Sequence, residues 1–135
     1  MMMNDLLKGI LGEGKITPPD VISDDLKSRF PCSRSIEWFL REKRYEALFY
    51  CEGVEYIACY SDDGNFMNFR ENVSPSEMPE LLKGTIGPDE EVMNVVKVVE
   101  GDGSVAYEII SRDKSFTRYL LSANGKGLVT ERKKL

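Results

Sequence analysis

The stretch CYSDDGNFMNFREN, residues 59–72, holds two aspartates, a glycine and an asparagine between two apolar runs. A calcium loop with Gly64 at its sixth position needs oxygen ligands at its first and twelfth positions, where this chain has Cys59 and Arg70. The same pattern recurs as LLSANGKGLVTERK, residues 120–133, in which the acids are gone but the glycine stays. The shared requirement is therefore a residue that tolerates positive φ, and both stretches predict a hairpin turn between strands.

Strand-like apolar runs extend outward from these turns, separated by short polar loops. The predicted strands are 35–42, 45–51, 54–61, 66–72, 91–99, 105–111, 116–122 and 127–132. Each group of four follows a short helix pattern, in which a hydroxyl residue, a proline and an acid come in that order at 17–20 and 74–77. The pattern predicts an α+β fold of two tandem modules, each a short helix plus a four-stranded antiparallel meander.

The 135 residues divide accordingly into three segments. Residues 1–15 are predicted to be an N-terminal arm or short helix, 16–72 the first helix-plus-meander repeat, and 73–135 the second. No run of 18 apolar residues occurs, so no membrane span is predicted.

The composition excludes several function classes. The net charge of −5 disfavours a phosphate backbone as a partner, so nucleic acid is not expected. The chain has no histidine, which removes the usual general base and the commonest metal ligand. No catalytic residue, metal site or cofactor is therefore predicted, and the chain is not expected to be an enzyme.

The three cysteines, Cys32, Cys51 and Cys59, lack the spacing of a zinc site or a disulfide framework. In the predicted register Cys51 and Cys59 fall on opposite faces of the sheet, so they are not expected to bond to each other. Cys51 is predicted to be a buried free thiol, and Cys32 a structural residue without reactivity.

Two-residue turns at 43–44, 52–53 and 63–64 would place one apolar set on a single face of the first meander, against a helix at 19–29. In that register Trp38 faces Phe49, and Tyr60 faces Met67. The predicted core face is Ile36, Trp38, Leu40, Ala47, Phe49, Cys51, Val54, Tyr56, Ala58, Tyr60, Met67 and Phe69.

The opposite face is mixed, with apolar side chains aligned across the strands and charges around them. The predicted binding residues on it are Phe39, Leu48, Tyr50, Ile57 and Arg70. An apolar row rimmed by charge is typical of a protein-binding surface, but it could also pack against the other half, residues 1–15 or a second copy of the chain.

The string W…YEALF…G.EY…Y..DGN, from Trp38 to Asn65, and YEI…YLLSANGK, from Tyr107 to Lys126, resemble the PepSY-like family, whose modules are similar to beta-lactamase inhibitor protein (BLIP-like) repeats. The resemblance covers about residues 16–133. It implies a non-enzymatic, usually exported protein that binds or inhibits other proteins, in the periplasm or outside the cell. Residues 1–15 do not have the pattern of a secretory signal, so a cytoplasmic location stays open.

The sequence thus predicts a non-enzymatic protein-binding or inhibitory module of unknown target that uses a sheet face. The alternative is a structural or homo-oligomerising domain, for instance a homodimer, whose open sheet face is buried against itself. The predicted partner is another protein or a peptide.

Overall fold

The chain folds mainly as antiparallel β-structure. The structure is a computed structural model, and it describes residues 16–135. The helical elements are α1 (Asp20–Arg29), a 3-10 turn (Pro75–Glu77) and α2 (Glu80–Thr85). The strands are β1 (Ser33–Arg41), β2 (Arg44–Cys51), β3 (Val54–Ser61), β4 (Phe66–Val73), β5 (Glu91–Glu100), β6 (Val105–Arg112), β7 (Arg118–Asn124) and β8 (Val129–Lys134).

The predicted fold class is wrong. Within residues 16–135 the eight strands belong to one sheet in the order β1 to β8, and the two α-helices have only 10 and 6 residues. This part of the chain is therefore not a pair of helix-plus-meander modules. Short loops determine which consecutive strands pair, but they carry no information about where a sheet ends. The predicted arm at 1–15 lies outside the described residues, and the limits 16–72 and 73–135 stay a prediction.

The second helix is shorter than predicted because a proline interrupts it. Ser74 and Glu77 form the predicted capping box, with the Ser74 backbone N–H donating to the Glu77 carboxylate at 2.9 Å. Met78 then takes extended backbone angles, as the residue before a proline usually does, and α2 begins only after Pro79. The proline at the predicted first helical position therefore opens a 3-10 turn rather than an α-helix.

The chain divides after Glu71 into two compact units. In the first unit α1 packs on one face of the strands through Ile22 and Leu26, as predicted, while Val21 is 66% exposed. A hydrogen bond from the Tyr60 hydroxyl to Asp25 Oδ2, at 2.6 Å, joins this helix to β3. The buried core of the unit is Ile22, Leu26, Trp38, Ala47, Phe49, Ala58 and Tyr60.

The predicted core face is largely observed, although two of the three turns differ. The first turn is at Glu42 and Lys43, both with positive φ, so Trp38 lies opposite Ala47 rather than Phe49. Moving a turn by one residue changes each partner by two positions, and a shift of two leaves every side chain on its predicted face.

A β-bulge changes the register of the third hairpin from the predicted one. The predicted pair of Ala58 with Phe69 is observed, but the register shifts between Cys59 and Tyr60. Tyr60 therefore lies opposite Phe66 instead of Met67, and Phe66 packs against the core. An extra residue in one strand reverses the alternation beyond it, which the regular pattern of the sequence does not reveal.

The second unit has its own core, formed by Met78, Leu82, Val95, Tyr107, Ile109, Leu121 and Ala123. Its strands β5 to β8 pair in succession as antiparallel neighbours. Gly127, at a φ of +95°, lies where an added Cβ would be 3.0 Å from Pro79 Cβ and from Leu82 N. Glycine therefore allows the β7–β8 turn to approach the start of α2 closely.

The cysteines differ from the prediction. Cys32 and Cys51 form a disulfide with a Cα–Cα distance of 5.1 Å, and Cys59 is buried and outside that disulfide. Ser35 has a φ of 55° within a register shift between Arg34 and Glu37, so that Ser33 rather than Arg34 lies opposite Cys51. This local irregularity brings Cys32 next to Cys51, which spacing alone does not indicate.

Within residues 16–135, none of the helices is long and apolar enough to cross a membrane.

Candidate functional site

The candidate site lies on the face of β1 to β4 that points away from α1. Alternation along β2 puts Glu46, Leu48 and Tyr50 on this face, whereas Ala47 and Phe49 belong to the core packed against the helix. The same rule assigns the facing residues of the neighbouring strands, because directly paired residues in an antiparallel sheet share a face.

The register separates the predicted apolar residues into different rows. Leu48 and Ile57 face each other, with Arg70 next to Ile57 on β4. Phe39 was expected in the same row, but it lies one row further along, opposite Glu46. Tyr50 lies in a third row and donates a hydrogen bond to Glu55 at 3.1 Å.

Burial divides these residues into two groups. Phe39, Leu48 and Ile57 are only 5%, 2% and 1% exposed, so their side chains form an apolar layer that the chain itself covers. Tyr50 and Arg70 are partly exposed and can contact another molecule directly. The structure therefore brings the five predicted residues onto one face, but only two of them reach solvent to an appreciable extent.

A pocket of about 170 Å³ opens on this face near the β1–β2 turn. It is lined by Arg41, Arg44, Glu46, Ile57, Cys59, Asn68 and Arg70. Arg41 and Arg44 are directly paired beside the turn, and Arg70 comes from β4 on the other side of β3. Three arginines from three strands therefore line one small cavity.

Two polar groups of the pocket, on Arg44 and Asn68, have a weak partner or none among the described residues. Arg44 Nη2 lies 3.5 Å from Glu42 Oε2, a weak contact because the Glu42 side chain is 72% exposed. Asn68 Oδ1 is buried and accepts no hydrogen bond from any described residue. Glu46 is 8% exposed on the pocket wall. A molecule that brings both a negative charge and a hydrogen-bond donor would complement this arrangement.

The arginines of the pocket supply hydrogen-bond donors that suit an anion. Arginine stays protonated in proteins and donates hydrogen bonds without acting as a general base. Residues 16–135 contain no group of three or more acidic or cysteine side chains arranged to hold a metal ion. Charge-assisted hydrogen bonds to a carboxylate or a similar anion are the strongest interaction the lining can offer.

The sequence prediction contained Arg70 but not the other two arginines of the pocket. Arg44 was assigned to the turn, because the turn was placed one residue too late. The predicted turn at 43–44 would pair Arg41 with Glu46, which would neutralise its charge, whereas its observed neighbour is Arg44. The signal that could have identified the site is the alternation itself, which puts residues 44, 46, 48 and 50 on one face once Arg44 belongs to the strand.

Comparison with solved structures identifies the class of fold. A crystal structure of a protein from Bacteroides eggerthii, assigned provisionally to the periplasm, superposes with a TM-score of 0.80 at 19% identity, over 88% of this chain and 90% of that chain. A DUF2874 family protein from Bacteroides uniformis gives a TM-score of 0.80 at 15% identity, over 87% and 90% of the two chains. A BLIP-like protein from Bacteroides fragilis gives 0.76 at 17% identity, over 90% and 89%.

The fold is therefore BLIP-like, which confirms that part of the predicted resemblance. No family model matches the chain, and no curated protein matches it. The neighbours are described by family or by fold, and none of these descriptions names an enzyme.

Proposed function

We propose that the chain is a non-enzymatic protein-binding or inhibitory module that uses the face of β1 to β4 opposite α1. The observation that carries the proposal is the pocket with three arginines on that face, beside the buried apolar layer. The buried apolar layer holds the strands in place, and the partly exposed polar groups beside it supply recognition. The BLIP-like neighbour supports the same kind of activity.

The proposed binding residues are Phe39, Leu48, Tyr50, Ile57 and Arg70, in two roles. Tyr50 and Arg70 contact the partner. Phe39, Leu48 and Ile57 lie on the same face, where their buried side chains hold the packing of the strands and do not contact the partner. We also propose that the chain is related to the PepSY-like group.

We further propose that the protein works in the periplasm or outside the cell. Disulfides persist in oxidising compartments and are rare in the cytosol, so the Cys32–Cys51 bond supports this location. The provisional periplasmic assignment of a structural neighbour points the same way. Fractionation of the native cells with an antibody to the chain tests it, and recovery in the cytoplasmic fraction would contradict it.

Site-specific photo-cross-linking in the native cells tests the binding face. A photoreactive phenylalanine replaces Tyr50 on the proposed face, and in a matched variant it replaces Val21, which is exposed on α1 on the other side of the strands. The expected result is a partner protein, identified by mass spectrometry, that is cross-linked from Tyr50 and not from Val21. The captured protein is then purified and its affinity measured directly.

Other outcomes of the same experiment are equally informative. Cross-links between two copies of this chain from Tyr50, together with a stable dimer by sedimentation, would replace the proposal with a homo-oligomerising domain. Equal capture of the partner from Val21 would show that the sheet face is not the binding surface.

A further inference from the structure

The arginine pocket differs in charge from the rest of the molecule. Its lining has three arginines and one glutamate, a formal charge of +2, whereas the whole chain has a net charge of −5. A concave site of one sign within a surface of the opposite sign concentrates ligands of complementary charge. The pocket can therefore attract a negatively charged group although the whole chain is acidic.

The geometry selects among anions. Arg41 and Arg44 are paired at the end of β1 and β2, so their side chains approach the same point from neighbouring strands. Planar guanidinium groups match the two oxygens of a carboxylate. The buried Asn68 Oδ1, which has no hydrogen-bond partner among the described residues, requires a donor instead. An acidic residue within a peptide carries both groups, a side-chain carboxylate and a backbone N–H.

The size of the cavity fits such a group. A water molecule occupies about 30 Å³ in the liquid, so about 170 Å³ corresponds to a handful of waters or one acidic side chain with its backbone. The backbone of the pocket is also firmly held, because Ile57 and Cys59 in its floor are buried. A small and rigid pocket of this kind suits a single anchoring residue of a partner.

We propose that this pocket binds a glutamate or aspartate side chain in a peptide segment of the partner protein, and that this residue anchors the complex. The proposal rests on the protein-binding function and specifies the chemistry of the partner. Arg41 and Arg44 hold the carboxylate, and Asn68 accepts the N–H of the same segment.

The test uses the full chain and a short acetylated, amidated peptide of glycine and glutamate, followed by nuclear magnetic resonance on the arginine Nε–H and backbone amide signals. We expect saturable shifts centred on Arg41 and Arg44, at least about tenfold weaker binding of the matched glutamine peptide, and weakening at high ionic strength. Arg41→Gln and Arg44→Gln should each weaken the binding about tenfold. Arg118→Gln, an exposed arginine on β7, is the matched control and should bind as the unchanged chain does.

Several results would overturn the inference. Equal affinity for the glutamine peptide would show that the negative charge of the glutamate does not contribute to binding. The assignment of the site would be wrong if the peptide shifted signals only outside the pocket. It would also be wrong if both pocket variants kept their circular dichroism and bound the peptide with unchanged affinity. Competition by inorganic phosphate at equal concentration would identify a general anion site rather than a peptide site.

These outcomes are distinguishable from failure of the binding function itself. If Tyr50 cross-links to a partner whose affinity is insensitive to Arg41→Gln and Arg44→Gln, the pocket assignment falls while the sheet face stays a binding surface. If no partner is captured from Tyr50, the failure lies in the proposed function.

Discussion

The disulfide between Cys32 and Cys51 should stabilise the first unit substantially. The two cysteines are 19 residues apart, and cross-linking a loop of that length lowers the entropy of the unfolded chain by an amount worth about 3 kcal/mol at 25 °C. The bond joins the segment after α1 to the end of β2, so reduction would release both elements together. We therefore expect reduction to lower the free energy of unfolding by about 3 kcal/mol.

Urea denaturation of the oxidised and the reduced chain, followed by circular dichroism and tryptophan fluorescence, measures this difference. With a typical slope of about 2 kcal/mol per molar urea, the midpoint should fall by about 1.5 M on reduction. Trp38 is in the core of the first unit, so its fluorescence reports the affected part directly. Comparing two redox states of one chain avoids the packing changes that a substitution at the partly buried Cys51 would introduce.

Two controls make the reasoning refutable. A thiol reagent added to the unfolded, unreduced chain should label one cysteine, Cys59, because the other two are joined in the disulfide. Reductant should leave the midpoint of Cys32→Ala unchanged, since that variant has no bond to lose. Labelling of all three cysteines, or a change below about 0.5 kcal/mol on reduction of the intact chain, would refute the disulfide or its assigned role.

Three further perturbations follow from the packing, each measured by urea denaturation. Tyr60 is buried and its hydroxyl donates to a carboxylate, so its pKa is raised above the usual 10. The free energy of unfolding should therefore be unaffected by this group below pH 10 and should decline above pH 10, less steeply in Tyr60→Phe. An identical decline in both chains would contradict this. Leu48→Ala should lower the free energy of unfolding by about 2–5 kcal/mol because the side chain is buried. Leu40→Ala, at a residue that is 44% exposed, should lower it much less. Equal losses would show that the face away from α1 is not packed. Gly127→Ala should lower the free energy of unfolding by about 1–3 kcal/mol more than Gly53→Ala does. Both glycines have positive φ, but of the two only Gly127 has atoms close to an added Cβ. Equal losses would show that backbone strain alone accounts for the effect of both substitutions.

Much of the strand order could be predicted because it depends on local signals. The turn at Glu52 and Gly53 is observed where it was predicted, and the pairs Phe49 with Tyr56 and Ala47 with Ala58 follow from it. A side-chain period of two then assigns faces even when a turn is misplaced by one residue, as at Lys43. Periodicity and turn chemistry therefore predict neighbours and faces well.

What could not be predicted depends on irregular backbone or on distant contacts. The left-handed Ser35 creates the register shift that allows the disulfide, yet serine has no strong preference for that conformation. The arginine pocket requires the register to be correct to the residue, since a different partner for Arg41 would have neutralised its charge. The number of strands in the sheet could not be predicted either, because a turn sequence indicates only which two neighbouring strands pair.

The two buried faces of β2 have a consequence for how the chain can vary. Its residues Glu46 to Phe49 are buried without interruption, whereas β6 alternates between buried and partly exposed positions along Tyr107 to Ser111. A library with every substitution at each position, selected for folding, should therefore show a continuous block of intolerant positions in β2 and an every-second-residue pattern in β6. β2, which carries Leu48 and Tyr50 of the proposed binding surface, thus tolerates the fewest substitutions in its buried block. New partner specificities would therefore arise mainly through residues of the neighbouring strands.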